Sequence, residues 1–212
     1  MHTTGCYGGM TIGAFADGRL VGYSYAVPGF DGAKPFLLSC GLAVAEGYGS
    51  RGIGEALKRA QAARAQRTGY DMVRWTTNAL ASLPLHLYLS KLGARLVRYR
   101  EDMYDGLRES AFPDEVEIEW DLRRTTPPRL EGAPAPLIAS SEAGRLDTKE
   151  LASLTKRSYT VEIPWDRAAL GSRSPELARQ WAAAARTAMR ALLAARYAGC
   201  LLYTSPSPRD RS

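Results

Sequence analysis

The sequence predicts an α+β protein built on a mixed, mostly antiparallel sheet that is interrupted by one parallel β-α-β crossover. Three observations predict it. Two runs rich in β-formers, Met10 to Ala16 and Leu20 to Val27, flank Asp17-Gly18-Arg19. Asp-Gly between apolar runs is a strong hairpin signal, because glycine accepts the positive φ of a tight turn. A third apolar run, Phe36 to Val44, passes through a glycine-rich turn into a basic, periodic segment, and Tyr70 to Thr76 then returns as a strand. Finally, EVEIEWDL at Glu115 to Leu122 alternates as a half-buried strand should.

Taken in order, Pro28 to Lys34 reads as a loop, and Phe36 to Val44, nearly all apolar, as a central strand. Three strands with no intervening helix form an antiparallel meander. The next helix is expected from about Gly52 to Arg67. Ile53, Ala56, Leu57, Ala60 and Ala63 form its apolar face, while Lys58, Arg59, Arg64 and Arg67 fall mainly on the other faces. Gly69 ends it, and the strands on either side of it should be parallel. A shorter helix is expected from Ser82, as its cap, to Leu92, with Pro84 in the first turn and Leu85, Leu89 and Leu92 inward. Gly93 stops it. Arg95 to Glu101 and Glu115 to Leu122 complete the sheet.

Composition changes at Arg123. Residues 123–136 hold four prolines, which forbid regular structure and mark a linker between a first domain, 1–122, and an extension, 137–199. Leu137 to Ser141 and Tyr159 to Ile163 are short strand candidates. Ser174-Pro175-Glu176 opens a last helix, in which Leu177, Trp181, Ala184, Ala188 and Leu192 recur at helical spacing, so that one face docks. Cys200 to Asp210, CLLYTSPSPRD, resembles the in-frame translation of a transposase adapter used in short-read DNA libraries. Residues 200–212 are accordingly set aside.

At 212 residues, 45% hydrophobic and 24% charged, the chain has the balance of an ordinary soluble protein. No apolar run reaches the roughly 20 residues of a membrane span and no signal peptide opens the chain, so the expected location is cytoplasmic. Cys6, Cys40 and Cys200 are too widely spaced for a disulfide framework or a paired-cysteine metal site, and Cys40 is expected reduced and buried in its strand. With only His2 and His86, a histidine-rich metal centre is excluded and no metal is expected. The net charge of +6 is spread along the chain and suits any polyanionic ligand. Nucleic-acid binding through the basic helix has neither an aromatic platform nor a basic tract to accompany it.

Chemistry concentrates in the glycine-rich turn. Gly49, Gly52 and Gly54 lie within six residues between an apolar strand and a helix. A helix start leaves N–H groups unsatisfied and carries about half a positive charge, so a polyphosphate can be held there by backbone, with Arg51 adding a full charge. The other reading of the same glycines is a tight strand-to-helix connection.

Leu42-Ala43-Val44 followed by Tyr48-Gly49-Ser50-Arg51-Gly52-Ile53-Gly54 resembles the acyl-CoA loop of the GNAT superfamily of N-acetyltransferases, whose pattern is Q/R-x-x-G-x-G/A. WTTNAL at Trp75 to Leu80, KLGARLVRY at Lys91 to Tyr99, DMYDGL at Asp102 to Leu107 and EIEWDL at Glu117 to Leu122 are similar to a branch of that superfamily with no assigned substrate. VEIPWDRAAL at Val161 to Leu170 and the Trp181 helix resemble the extension which that branch carries.

The resemblance implies acetyl-CoA as co-substrate. Its pyrophosphate would lie on Gly49, Ser50, Arg51, Gly52, Ile53 and Gly54, its pantetheine arm along Leu42, Ala43 and Val44 where two strands splay, and Asn78 would be a further contact. An unidentified amine would be the acceptor. Three departures stand out. Gly49 occupies the Q/R position. The superfamily's tyrosine acid precedes the helix-ending glycine by four residues, whereas Tyr88 precedes Gly93 by five. Tyr88 is the candidate acid; one residue is about 100° of α-helix, an offset that can turn it from the thiol, with His86 as the alternative acid and a non-catalytic CoA-binding domain as the alternative function. The third departure is that the strand and two helices which normally precede the hairpin are not in the sequence; the expectation is a fragment, with oligomeric state left open.

Overall fold

The computed structural model describes residues 5, 7–32, 34–103, 112–124, 134–139, 145–146 and 151–200. Within them the chain forms β1 (Met10–Ala16), β2 (Arg19–Asp31), β3 (Lys34–Val44), α1 (Ile53–Arg67), β4 (Met72–Asn78), α2 (Ser82–Leu85), β5 (Arg95–Arg100), β6 (Glu115–Asp121), β7 (Ala135–Ala139), β8 (Arg145–Leu146), β9 (Tyr159–Val161), α3 (Arg167–Arg173) and α4 (Pro175–Ala194). Six strands form one sheet in the order β1-β2-β3-β4-β6-β5, and three form another in the order β8-β7-β9. The α+β fold is as expected. Residues 104–111, most of the proline-rich stretch and Leu201 to Ser212 lie outside the described residues.

The chain divides into two compact units, Met1–Trp75 with Glu119–Thr126 and Thr76–Ile118 with Pro127–Ser212. In the first, β1 and β2 pair through Ala16↔Arg19 across a two-residue turn in which Asp17 and Gly18 both have positive φ, 50° and 75°. That is the geometry that Asp-Gly favours. The predicted loop at Pro28 to Lys34 is instead strand: β2 runs on to Asp31 and pairs with β3 as far as Asp31↔Lys34. Pro28 is tolerated because β1 ends at Met10↔Ala26, so the missing N–H of Pro28 falls where no β1 residue calls for a donor.

Helix α1 packs on this sheet closely enough that a Cβ on Gly22 would sit 3.1 Å from the Ala43 carbonyl oxygen and 3.2 Å from Ile53 Cγ2. Its buried residues are Leu57, Lys58, Gln61, Ala62 and Ala65. The apolar face read from sequence is therefore displaced by about one residue: Ala56, Ala60 and Ala63 are exposed, and Lys58 is inside. An alanine-rich helix has little apolar contrast between faces, so small residues on both sides allowed the rotation. Cys40 also departs from expectation, being exposed. It is the extra residue of a β-bulge, since Tyr25 faces Gly41 and Ala26 faces Ser39.

The second unit has its own core of Leu80, Phe112, Leu137, Ile138, Ala178, Trp181, Ala185 and Ala188, so α4 docks by one face as predicted. The carboxylate of Asp114 gathers this unit. It accepts from Tyr99 Oη (2.7 Å), from the Asp102 N–H (3.1 Å) and from two nitrogens of Arg186 on α4 (2.8 and 2.9 Å).

Candidate functional site

The glycine-rich turn begins where β3 ends. Ala45 N–H donates to the Val21 carbonyl and Tyr48 N–H to that of Ala45, folding the chain at Gly47 (φ 81°). Ser50 and Gly52 then both take positive φ, 58° and 79°, and Gly52 is the N-cap of α1. Ser50 is a non-glycine residue in the left-handed region, a conformation that costs about 1 kcal/mol or more and that clusters at ligand-binding turns. The first α1 bond is Ala56 N–H to the Gly52 carbonyl, so the N–H groups of Ile53 and Gly54 lie ahead of the helical ladder. A Cβ at Gly49 or at Gly52 would meet nothing within 4 Å, which leaves open space above the turn. The Arg51 guanidinium lies 5.2 Å from the Tyr48 ring centroid. Open backbone, N–H groups free of the ladder and a cation beside them are what an anion-holding turn requires.

The neighbouring strand edge belongs to β3. Leu42, Ala43 and Val44 pair with Ser24, Tyr23 and Gly22 of β2 on one side. On the other side, the registered pairs of β3 with parallel β4 are Leu37↔Val73 and Leu38↔Arg74. Past them, among the described residues, β3 has no further registered partner on that edge, and Leu42 and Val44 stay partly exposed. The paired segment is held by Arg74, whose guanidinium lies 4.5 Å from the Phe36 ring centroid and bridges Asp31 (2.8 Å) and Glu119 (2.7 Å).

Sequence reasoning assigned Lys58 to a solvent face, yet it is 1% exposed. Its Nζ donates to Ser39 Oγ (2.8 Å) and lies 3.7 Å from the Trp75 ring centroid. Burial lowers its pKa to about 7, against a smaller opposing effect of Cys40. Gln61, one turn further along α1, is also 1% exposed, and neither of its side-chain amide atoms has a hydrogen-bond partner among the described residues. Nothing in the sequence marked these two polar residues as interior.

The remaining predicted residues belong to the second unit. Asn78 ends β4; its amide nitrogen donates to the Phe112 and Asp114 carbonyls and its oxygen accepts from Leu80 N–H. Ser82 does not cap its helix as predicted. The N-cap is Ala81, and Ser82 Oγ donates to the Trp165 carbonyl at 2.6 Å. After one α turn the helix continues as a π-helix over His86–Lys91, with Leu92 N–H bonded to the Leu87 carbonyl. A π turn carries an extra residue, so the 100° per residue on which Tyr88 was expected to turn away does not apply here. Tyr88 is buried, and burial pushes its pKa up to about 12. His86 is partly exposed.

Among the described residues no group of three or more His, Cys, Asp or Glu side chains could hold a metal ion, and no helix is long and apolar enough to cross a membrane. Residues 3–94 match the Acetyltransferase (GNAT) family. Among solved structures the chain is similar to a GNAT family acetyltransferase from Elizabethkingia anophelis with acetyl-CoA bound (21% identity, 57% of this chain and 82% of that one, TM-score 0.48). It is also similar to a Bacillus subtilis acetyltransferase in complex with CoA (21%, 53% and 76%, TM-score 0.48) and to yncA from Salmonella typhimurium with its cofactor acetyl-CoA (16%, 63% and 72%, TM-score 0.50). Comparison with curated proteins gave no match. The family match covers residues 3–94 of the 212.

Proposed function

We propose that this domain is an acetyl-CoA-dependent N-acyltransferase that moves the acetyl group to an amine. The observation that carries the reading is the turn opening α1, with open space over Gly49 and Gly52 and backbone N–H groups ahead of the helical ladder. The pyrophosphate of acetyl-CoA lies on Gly49 to Gly54, and the pantetheine arm follows the strand edge at Leu42, Ala43 and Val44. In the transfer, the amine nitrogen bonds to the thioester carbonyl carbon, the C–S bond breaks, the amine loses a proton and the departing thiolate gains one. Tyr88 is the residue we assign to that last protonation, because burial keeps its phenol protonated through the neutral range; His86 is the second candidate and Asn78 a cofactor contact. Positioning supplies most of the remaining acceleration. A cytoplasmic location is part of this reading.

Calorimetry with acetyl-CoA tests the binding half. A Gly52→Val/Gly54→Val double variant should bind at least tenfold more weakly than the wild type while keeping its circular dichroism, and equal affinity would overturn the assignment. Turnover of acetyl-CoA with an amine panel tests the other half; binding without turnover would make the domain a CoA binder.

A further inference from the structure

The registered pairing of β3 with β4 ends at Leu38↔Arg74. The next residue on each strand is Ser39 and Trp75, and one side chain of α1 reaches both. Lys58 Nζ is 2.8 Å from Ser39 Oγ and 3.7 Å from the Trp75 ring centroid. Trp75 is itself buried and meets the Trp120 ring edge-on, with centroids 6.5 Å apart and planes at 86°. The buried layer of α1 is thus polar where it meets this point, with Gln61 one turn beyond Lys58 and Ser24 fully buried on β2. A helix face whose only task is packing would be apolar there, since a buried ammonium must give up its water and a hydroxyl and a ring face return only part of that.

The direction of β3 says what the arrangement could serve. The strand runs from Ser39 through Leu42, Ala43 and Val44 to the turn at Gly49 to Gly54, so a ligand with its pyrophosphate on the turn and its arm along the edge extends back toward Ser39. Three residues of strand are about 10 Å. We propose that Lys58 is a positioning residue for the acyl end of the co-substrate: by tying Ser39 on β3 to Trp75 on β4 where the ladder stops, it sets the mouth of the cleft that the arm enters. This rests on the acyl-CoA reading of the turn and extends it to a residue that the motif does not contain.

The test separates the two ends of the ligand in the full chain. Acetyl-CoA carries the arm, whereas adenosine 3′-phosphate 5′-diphosphate carries the phosphates without it. Lys58→Met should weaken acetyl-CoA at least tenfold and change the affinity for the nucleotide less than twofold. Ser39→Ala, which leaves α1 and Trp75 in place, should weaken acetyl-CoA severalfold with the same selectivity, and it decides the matter if Lys58→Met does not fold. Acetyl-CoA affinity within twofold of wild type in the folded variants, or equal loss for both ligands, overturns the positioning role and leaves the binding assignment standing. A wild-type chain that binds neither ligand overturns both.

Discussion

Arg186 on α4 holds Asp114 with two hydrogen bonds, Nε to Oδ2 at 2.8 Å and Nη2 to Oδ1 at 2.9 Å, and so ties the C-terminal helix to the segment that leads into β6. The carboxylate is buried while the arginine side chain is 37% exposed. Arg186→Met should therefore cost about 2 kcal/mol, less than for a fully buried pair. Burial raises the pKa of Asp114, but the donors from Arg186, Tyr99 and the Asp102 N–H outweigh it and leave it lowered. With the folded value below the unfolded one, the pair's contribution is complete above about pH 4 and is lost as pH falls through the folded value. Urea unfolding should show the deficit of Arg186→Met in full at pH 7 and narrowed at pH 3; an equal deficit at both would remove the ion pair as its cause.

Lys58 gives the opposite sign. Its folded pKa is lowered from 10.5 to about 7, chiefly by burial. Between those values the unfolded chain binds the extra proton, so stability rises with pH across that window, and the cost of burying the charge is greatest below pH 7. Lys58→Met removes this dependence. Relative to wild type, its thermal midpoint should be higher at pH 6.5 than at pH 9.5, and a pH-independent difference would mean that the amine is not titrating in the fold.

Much of the sheet could be read from local rules. Asp17-Gly18 named its own turn, and the apolar run at Phe36 to Val44 is a strand flanked on both sides. The backbone of the glycine-rich turn was legible because glycine spacing reports where positive φ falls, as it does at Gly47 and Gly52. What could not be read depends on long-range packing. The face of α1 that buries Lys58 is set by its packing on the sheet, where Gly22 lets Ile53 and Leu57 come close, and the π turn at His86–Lys91 has no pattern of its own beyond one surplus residue before Gly93. Asp114 looked like any acid after a proline, because its meaning lies in Arg186, 72 residues away.

Gly52 and Gly18 form a matched pair for separating function from backbone strain. Both have positive φ, 79° and 75°, and a Cβ on either meets nothing within 4 Å. Gly52→Ala and Gly18→Ala should each destabilise by about 1 kcal/mol, the penalty of a side chain in the left-handed region. Only Gly52→Ala should weaken acetyl-CoA, by tenfold or more in calorimetry, since Gly18 sits in the β1–β2 turn. Equal effects on binding would trace the loss to stability alone.

Tyr88 carries the sharpest prediction about chemistry. A proton donor must be protonated when the C–S bond breaks, and burial holds this phenol protonated up to about pH 12. A donor so weakly acidic stands near the low end of general-acid contributions, about 100-fold. Tyr88→Phe should therefore lower kcat by about that factor and leave KM for acetyl-CoA within twofold, because the ring and its packing are kept. The wild-type rate should show no limb from this group between pH 6 and 10. The surplus residue before Gly93 makes the companion variant decisive. If His86→Ala lowers kcat while Tyr88→Phe does not, the π turn has left the phenol away from the thiolate, and the acid is the histidine two residues earlier.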